Sequence, residues 1–422
     1  LTVDANGEAG FAAASGGGLS SDAQENTVGG TNAGDSLDGS NAYANTLFGY
    51  DAGTAITSGS NNTIFGHTGG KTLTTGHNND LFGLYAGRYL TTGFRNVFIG
   101  MSAGQNATTA QENVAIGKQS HNYLTTGQYN TSVGVDSARG TNTAAQTGSY
   151  NSTFGYQAGY VLNTGDNNSI FGYQAGYSLT SGGANTAIGR MALYYATTVA
   201  GSVAIGNNAL KNTTTAYFNV ACGQNSLFTN TTGANNTCIG TNSGYSNTTA
   251  SHNVFIGYYA GNANTTGYEN TCIGANTGYS LTTGIFNTFT GFKAGYDCTT
   301  GGVNTFTGYG AGQNVTTGSS NTGSGVTALS QLSTGTGNTG IGRHCLQNVT
   351  TSNYNTGLGW GAGLHVTTGT NNTLLGYQAG RSGSPSGEIT SGSNNVVLGD
   401  NTVSNLYCAD TSISSSDQRD KT

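Results

Sequence analysis

The sequence predicts an all-β fold, a parallel β-solenoid of about 20 coils with 17 residues per coil. A glycine closes each copy of the motif Asn-Thr-x-Ile-Gly, and this glycine recurs at every seventeenth position from Gly49 to Gly134 and from Gly155 to Gly376. The 71 Gly residues and the many β-branched residues among 422 exclude a helical fold. Regularly placed Ile, Val, Phe and Tyr residues argue against disorder, which Gly-, Ser- and Asn-rich chains otherwise favour.

Each repeat contains a short strand. Counted from its leading Asn, the repeat reads Asn-Thr-x-[Ile/Phe]-Gly-x-x-Ala-Gly-x-x-x-Thr-Thr-Gly-x-x. Alternation with period two places the second and fourth positions on one face of the strand and the third position on the other. All three positions are often apolar, as in Val97-Phe98-Ile99, which predicts burial on both faces. We expect one face to fill the coil and the other to meet another chain.

The remaining recurrent positions of the repeat predict turns and a narrow interior. The fifth position is Gly in all twenty-one copies, which indicates positive φ or a close backbone approach at a tight corner. The eighth position is small, as in Ala86 and Ala103, and Thr-Thr-Gly predicts a second β-rich stretch before a second corner. Two strands and two corners in so short a repeat predict a flattened coil. The candidate turn residues are Gly66, Gly83, Gly100, Gly117, Gly134, Gly172 and Gly189.

The leading Asn predicts a hydrogen-bonded column along the stack. It is present in twenty of the twenty-one copies, Ser202 being the exception. Identical Asn side chains in stacked coils can hydrogen-bond to one another as a ladder. With a spacing of about 4.8 Å per coil, twenty coils would form a rod on the order of 100 Å long. The candidate ladder residues are Asn62, Asn79, Asn96, Asn113, Asn130, Asn168 and Asn185.

The period defines the domain organisation. Residues 1–44 lack the period and are assigned to an attachment or capping segment, and residues 45–380 form the solenoid, with a four-residue insertion within 136–149. The other predicted segments are an inserted loop at 381–392, the last coil and an exit strand at 393–411, and residues 412–422. Insertions in solenoids project as loops and are common places for ligand contact, although a tolerated irregularity also explains them.

Several segments resemble the head of trimeric autotransporter adhesins. Asn113-Val114-Ala115-Ile116-Gly117 and Asn185-Thr186-Ala187-Ile188-Gly189 look like that family's Asn-Ser-Val-Ala-Ile-Gly strand. The resemblance implies a left-handed β-roll, three copies of which associate around an axis. Such a homotrimeric rod would account for the apolar third position. The coil of that family is usually shorter.

The last residues resemble a second family. Ser416-Asp-x-Arg-x-Lys421 is similar to the opening of the intramolecular chaperone domain of endosialidases and phage tail fibres. The resemblance implies that the domain assembles the trimer and then cleaves itself off at Ser416, with Ser416 and Lys421 as a catalytic dyad. It covers only the start of that domain. A lysine acts as a base only when its pKa is lowered by burial or by like charge.

The sequence gives little support for a metal or cofactor site, for nucleic-acid binding or for membrane insertion. The six His residues lie at scattered repeat positions, the six Cys residues look like small buried hydrophobes, and neither predicts a metal site or cofactor. Tyrosines at the sixth and tenth positions, including Tyr156 and Tyr160, either stack on sugars or neighbouring chains or pack over the Gly corners. A net charge of −6 argues against nucleic acid, and no apolar window is long enough for membrane insertion.

These features predict a structural protein rather than an enzyme, apart from self-cleavage. We expect the chain to form the shaft of a phage tail fibre or a comparable extracellular appendage. The expected partners are further copies of the same chain, other tail proteins that bind through its N-terminus, and a cell-surface glycan or receptor. The alternative is a bacterial cell-surface trimeric adhesin, which would need a C-terminal membrane anchor. An ice-binding solenoid ranks last, because the two adjacent Thr of each repeat are predicted to point to opposite faces.

Overall fold

The computed structural model describes residues 2–3, 9–10 and 20–405. The predicted fold class is confirmed: the protein is an all-β parallel solenoid of about 21 turns with about 17 residues per turn. The chain divides into two compact units, Leu1–Ile285 and Phe286–Thr422. Within the described ranges, no helix combines the length and apolar character that a membrane span requires.

The described residues of the first unit form eighteen strands, most of them three residues long. They are β1 Thr2–Val3, β2 Ala9–Gly10, β3 Ser20–Ser21, β4 Thr27–Gly29, β5 Thr46–Phe48, β6 Thr63–Phe65, β7 Asp80–Phe82, β8 Val97–Ile99, β9 Val114–Ile116, β10 Thr131–Val133, β11 Ser152–Phe154, β12 Ser169–Phe171, β13 Thr186–Ile188, β14 Val203–Ile205, β15 Val220–Cys222, β16 Thr237–Ile239, β17 Val254–Ile256 and β18 Thr271–Ile273.

The second unit, as far as it is described, contains seven strands. They are β19 Thr288–Thr290, β20 Thr305–Thr307, β21 Thr322–Ser324, β22 Thr339–Ile341, β23 Thr356–Leu358, β24 Thr373–Leu375 and β25 Val396–Leu398. Each of these strands pairs in parallel with the next one, without a shift in register.

Parallel pairing in strict register also builds the first unit. Strand β8 pairs with β9 so that Phe98 lies beside Ala115, and every consecutive pair from β4 to β18 repeats this arrangement. The strands thus meet position by position, because each coil is a copy of the one before it. Strands β1 and β2 form a separate antiparallel pair, and β3 pairs antiparallel with β4.

The strand is oriented opposite to the expectation from the resemblance to trimeric adhesins, in which the third position would face a neighbouring chain. Its third position points into the coil and is fully buried, as Phe98, Ile170 and Phe255 show. The second and fourth positions point outward, so that Ile188 remains 40% exposed. The expectation that a partner covers the apolar third position is therefore wrong. One chain buries that position by itself, because opposite sides of a single narrow coil meet there.

The remainder of the coil contains one strand fewer than predicted. In the described residues Thr-Thr-Gly forms bends and not a strand, as at Thr74-Thr75-Gly76. Neighbouring coils are nevertheless hydrogen-bonded here, since the Thr74 amide donates to the Thr91 carbonyl at 2.9 Å and the Thr74 hydroxyl donates to the same oxygen at 3.2 Å. The flattened coil is held by one strand ladder and one ladder of bends.

The stack begins earlier than the predicted repeat region. Residues Asn26 to Gly30 follow the repeat from its first to its fifth position, and β4 within them pairs in parallel with β5. The interval from Gly30 to Gly49 is two positions longer than the regular period, which hides this coil from a search for exact repeats. Part of the segment 1–44 thus belongs to the solenoid.

Candidate functional site

The outward face of the strands carries a column of apolar side chains at the fourth position. In the first unit, Ile188, Ile205 and Ile239 are 40%, 37% and 40% exposed. Rings of the same column stack on each other, with centroids 5.0 Å apart for Phe48 and Phe65. From β5 to β18 the column consists of Phe48, Phe65, Phe82, Ile99, Ile116, Val133, Phe154, Phe171, Ile188, Ile205, Cys222, Ile239, Ile256 and Ile273.

The second-position column runs beside it on the same face. It consists mainly of Thr and Val in the first unit, with Asp80 as the one charged residue from β5 to β18. The strand face is thus a flat surface with few charges and a continuous apolar line. A contiguous exposed apolar surface of this kind marks an interaction site more often than an ordinary solvent-facing one. In the second unit, by contrast, the fourth position is Thr290, Thr307 and Ser324 before it becomes apolar again at Ile341.

The candidate ladder Asn residues lie in one buried column of the first unit. The Asn62 side-chain amide donates to Asn45 Oδ1 at 3.0 Å and to the Gly76 carbonyl at 3.0 Å. The backbone amide of Asn62 donates to the same Asn45 Oδ1 at 3.1 Å. The same set of bonds is made by Asn79, Asn96, Asn113, Asn130, Asn168 and Asn185. Each Asn thereby joins three points of the stack, which is a structural role.

The candidate turn glycines have the backbone that their pattern suggested. Gly172 has a φ of +137°, and a Cβ on it would lie 2.6 Å from the Gly189 carbonyl oxygen. The other candidates, Gly66, Gly83, Gly100, Gly117, Gly134 and Gly189, have φ values between +129° and +147°. Both the backbone angle and the approach of the next coil therefore require Gly at this corner.

The candidate catalytic residues Ser416 and Lys421 lie outside the described residues. The same holds for the predicted exit strand, which consists of Leu406, Tyr407 and Cys408. Self-cleavage at this end of the chain stays a prediction.

Aromatic side chains form columns on the coil surface. Rings of Tyr160, Tyr177 and Tyr194 at the tenth position stack with centroids 4.9 Å and 5.1 Å apart. Tyr156 and Tyr173 at the sixth position stack at 5.5 Å. The rings thus pack against one another along the stack, because the same repeat position in adjacent coils is one strand spacing apart.

Histidine and cysteine residues are dispersed. Among the described residues no group of three or more His, Cys, Asp or Glu side chains is arranged to hold a metal ion. Cys222, Cys238, Cys298 and Cys345 are free thiols. Cys238, Cys272, Cys298 and Cys345 are buried, whereas Cys222 at the outward fourth position is only partly buried. Burial raises the pKa of the Cys298 and Cys345 thiols to about 12, so both stay neutral.

The insertion within 136–149 projects from the first unit. Asn142, Thr143, Ala144 and Ala145 are exposed, and Thr141 forms an antiparallel bridge with Ala144. Below this loop, the Arg139 guanidinium lies 5.7 Å from the centre of the Tyr123 ring and 5.5 Å from that of Tyr160. Arg139 also forms an ion pair with Asp136 at 3.9 Å and donates a hydrogen bond to the Tyr160 hydroxyl.

The second insertion belongs to the second unit. Glu388 in the loop 381–392 pairs with His365 of the preceding coil. Arg381 at the start of the loop lies over Trp360 at 5.9 Å, and Trp360 stacks with Tyr377 at 5.2 Å. At each insertion an arginine at the tenth repeat position, Arg139 or Arg381, thus lies over aromatic side chains.

The twelfth repeat position fills the coil beside the third and was not predicted from the sequence. It is Leu in many coils, for example Leu73, Leu90 and Leu124, all fully buried. In four consecutive coils it is polar, namely Thr213, Asn230, Asn247 and Asn264. The Asn247 side-chain amide donates to Asn230 Oδ1 at 2.7 Å, and that of Asn264 donates to Asn247 Oδ1 at 2.9 Å. The recurrence of Leu three residues before the Gly of Thr-Thr-Gly was the signal for this position.

No protein-family model matches the chain, and a search of curated proteins finds no match.

Proposed function

We propose that this chain is a structural protein that forms the shaft of a phage tail fibre or a comparable extracellular appendage as a homotrimer. The observation that carries the proposal is the apolar fourth-position column of β5–β18, which a single chain leaves partly exposed. Three such columns meeting around a common axis would remove it from water. The expected contact between protomers is therefore the outward strand face, with the fourth position nearest the common axis, and not the third position.

A copy of the same chain is the partner that fits this surface best. The column places one apolar side chain on each of fourteen successive strands, so a rigid partner must offer apolar groups at the same spacing over the same length. The chain's own column does so. Seven of the fourteen side chains are 37–40% exposed, and the other seven are exposed to a smaller degree. Burying two fifths of a large apolar side chain is worth about 0.5–1 kcal/mol, so the column contributes roughly 5–10 kcal/mol per chain. This is comparable with the roughly 4–15 kcal/mol that association costs.

The number of copies and the biological setting come from the two sequence resemblances. The resemblance to autotransporter adhesin heads supports three copies and a left-handed coil. The resemblance of Ser416 to Lys421 to the chaperone domain of endosialidases and tail fibres supports a virion appendage rather than a cell-surface adhesin. The projecting loops support an additional role in attachment to a host-surface glycan.

The mass in solution tests the trimer. Light scattering of the purified chain is expected to give about 128 kDa, three times 42.6 kDa. Replacing Ile188 and Ile205 with Asp should lower the mass toward that of one chain, because two charges per protomer would be buried at the contact. The matched control replaces Thr92 and Thr109 with Asp, since both are exposed at the fourteenth position. A wild-type mass of 42.6 kDa would contradict the proposal.

Self-cleavage is tested separately. In a chain that carries the complete chaperone domain, the mass of the mature product should correspond to cleavage at Ser416. Ser416→Ala and Lys421→Ala should each leave the chain uncut, because one removes the nucleophile and the other the base. A Ser416→Ala chain that is still cut there would contradict the assignment.

A further inference from the structure

We propose that the cleft beside the inserted loop 141–145 binds a neutral oligosaccharide. The inference rests on the attachment role proposed above and names the chemical class of ligand. It does not depend on the strand-face contact, because the loop lies outside the strands.

The inserted loop and the coil surface together border an open cleft. Its volume is about 490 Å³, and it lies between Asn106, Tyr123 and Thr125 on the coil and residues 141–145 of the loop. A smaller cleft of about 200 Å³ shares Tyr123, Thr141 and Asn142 with it. The larger volume lies within the range of roughly 300–1,000 Å³ that is usual for small-molecule sites.

The base of the loop is fixed by hydrogen bonds. The Tyr123 amide donates to the Arg139 carbonyl at 2.9 Å, and the Gly140 amide donates to the Tyr160 carbonyl at 2.9 Å. On the far side, Gln146 turns its side chain into the coil and donates from Nε2 to the Ala138 carbonyl at 3.0 Å. The exposed residues between these anchors are thus held over Tyr123. A wall that is ordered before binding saves the entropy that ordering it would otherwise cost.

The lining of the larger cleft suits sugar hydroxyls. It offers the side-chain amides of Asn106 and Asn142, the hydroxyls of Thr125, Thr141 and Thr143, and the Tyr123 ring. Amides and hydroxyls both donate and accept hydrogen bonds, as sugar hydroxyls do. A Tyr ring offers an apolar face for the C–H groups of a sugar ring and a polar hydroxyl at its edge.

The charges favour a neutral sugar over an acidic one. No charged side chain lines the larger cleft, and Arg139 at the smaller one is paired with Asp136 at 3.9 Å. The guanidinium therefore has a carboxylate partner, and it lies over the rings of both Tyr123 and Tyr160. Its place in the site is to fix the Tyr123 ring, which makes Arg139 a positioning residue.

The repeat supplies a matched control for the Tyr123 ring. Tyr89 occupies the same eleventh position of a coil without an insertion, and it is 40% exposed. The guanidinium of Arg88 lies 5.2 Å from the centre of its ring. Tyr89 therefore has a ring at the same repeat position with an arginine over it, although this arginine comes from its own coil, and it lacks the loop.

Saturation-transfer-difference NMR on the full chain tests the inference. The probes are maltotriose, cellotriose and chitotriose as neutral sugars and trigalacturonate as an acidic one, each at about 10 mM, which detects millimolar dissociation constants. At least one neutral trisaccharide is expected to bind. Tyr123→Ala and Asn142→Ala should each weaken that binding about tenfold, because each removes one wall of the cleft, whereas Tyr89→Ala should leave it unchanged.

The contrary outcomes are equally specific. Binding of none of the neutral sugars, binding of trigalacturonate alone, or neutral-sugar binding that survives both Tyr123→Ala and Asn142→Ala would overturn the inference. Light scattering and circular dichroism on the same samples show whether each variant still assembles and folds. A chain that assembles as a trimer but binds no sugar would overturn this inference and leave the proposed shaft intact, whereas a monomer would overturn the shaft.

Discussion

At the scale of single residues, the fifth-position glycines are the most constrained sites. Gly172 combines a φ of +137° with a neighbouring carbonyl oxygen 2.6 Å from where a Cβ would stand. Gly172→Ala should destabilise the coil by about 3 kcal/mol or more, because backbone strain and overpacking add. Hydrogen exchange of adjacent coils measures the loss. Gly39→Ala is the control, since nothing lies within 4 Å of a Cβ there, and an equal effect of both changes would contradict the explanation.

His121 gives the fold a dependence on pH. It lies fully inside the coil at the ninth position, and its Nδ1 has no hydrogen-bond partner. Burial lowers the pKa of His121 from 6.5 to about 3. Below pH 6.5 the unfolded chain therefore binds a proton that the folded chain does not, so stability should fall by about 1.4 kcal/mol per pH unit, or about 2 kcal/mol by pH 5.

Chemical denaturation at pH 7 and pH 5 measures this loss. His121→Leu should remove it, because Leu occupies the same position in other coils, as Leu193, Leu210 and Leu227. Most carboxyl groups stay ionised above pH 5 and so contribute little in this window. Equal losses in the wild-type chain and in His121→Leu would show that another group is responsible.

At the scale of the coil, the Asn column is the element that the sequence predicted in most detail. Its one irregularity is Ser202. The Ser202 hydroxyl oxygen accepts a hydrogen bond from the backbone N–H of Asn219 at 3.2 Å, but it does not replace the hydrogen bonds between Asn side-chain amides that other coils have. Ser202→Asn should raise stability by about 1–2 kcal/mol, because it restores bonds toward Asn185 and from Asn219. Thermal denaturation compares it with Ser202→Ala, which should lower stability. A destabilising Ser202→Asn would mean that the column lacks room for the amide here.

The coil interior could be predicted only in part. Period two correctly separated the third position from the second and fourth, but the pattern alone does not say which face is inside, since Phe98 and Ile99 are equally apolar. The buried run of polar residues at the twelfth position was not predicted either. Asn230 and Asn247 are tolerated there because stacking lets each amide bond to the coil before it and to a carbonyl three residues on.

At the scale of the whole molecule, the repeat predicted the fold class, but it did not predict the first coil of the stack, which begins at Asn26. The longer interval between Gly30 and Gly49 breaks the period while the backbone continues the stack. The inserted loop was located from the sequence, but its cleft was not. Tyr123 and Thr141 belong to consecutive coils and meet only because those coils lie side by side.

Electron cryomicroscopy of the purified particle in cross-section tests the shaft most directly. We expect three solenoids around one axis, with the column from Phe48 to Ile273 turned inward and the loop 141–145 turned outward. A single solenoid, or an assembly in which the side chains of Ile188 and Ile205 face solvent, would contradict the account.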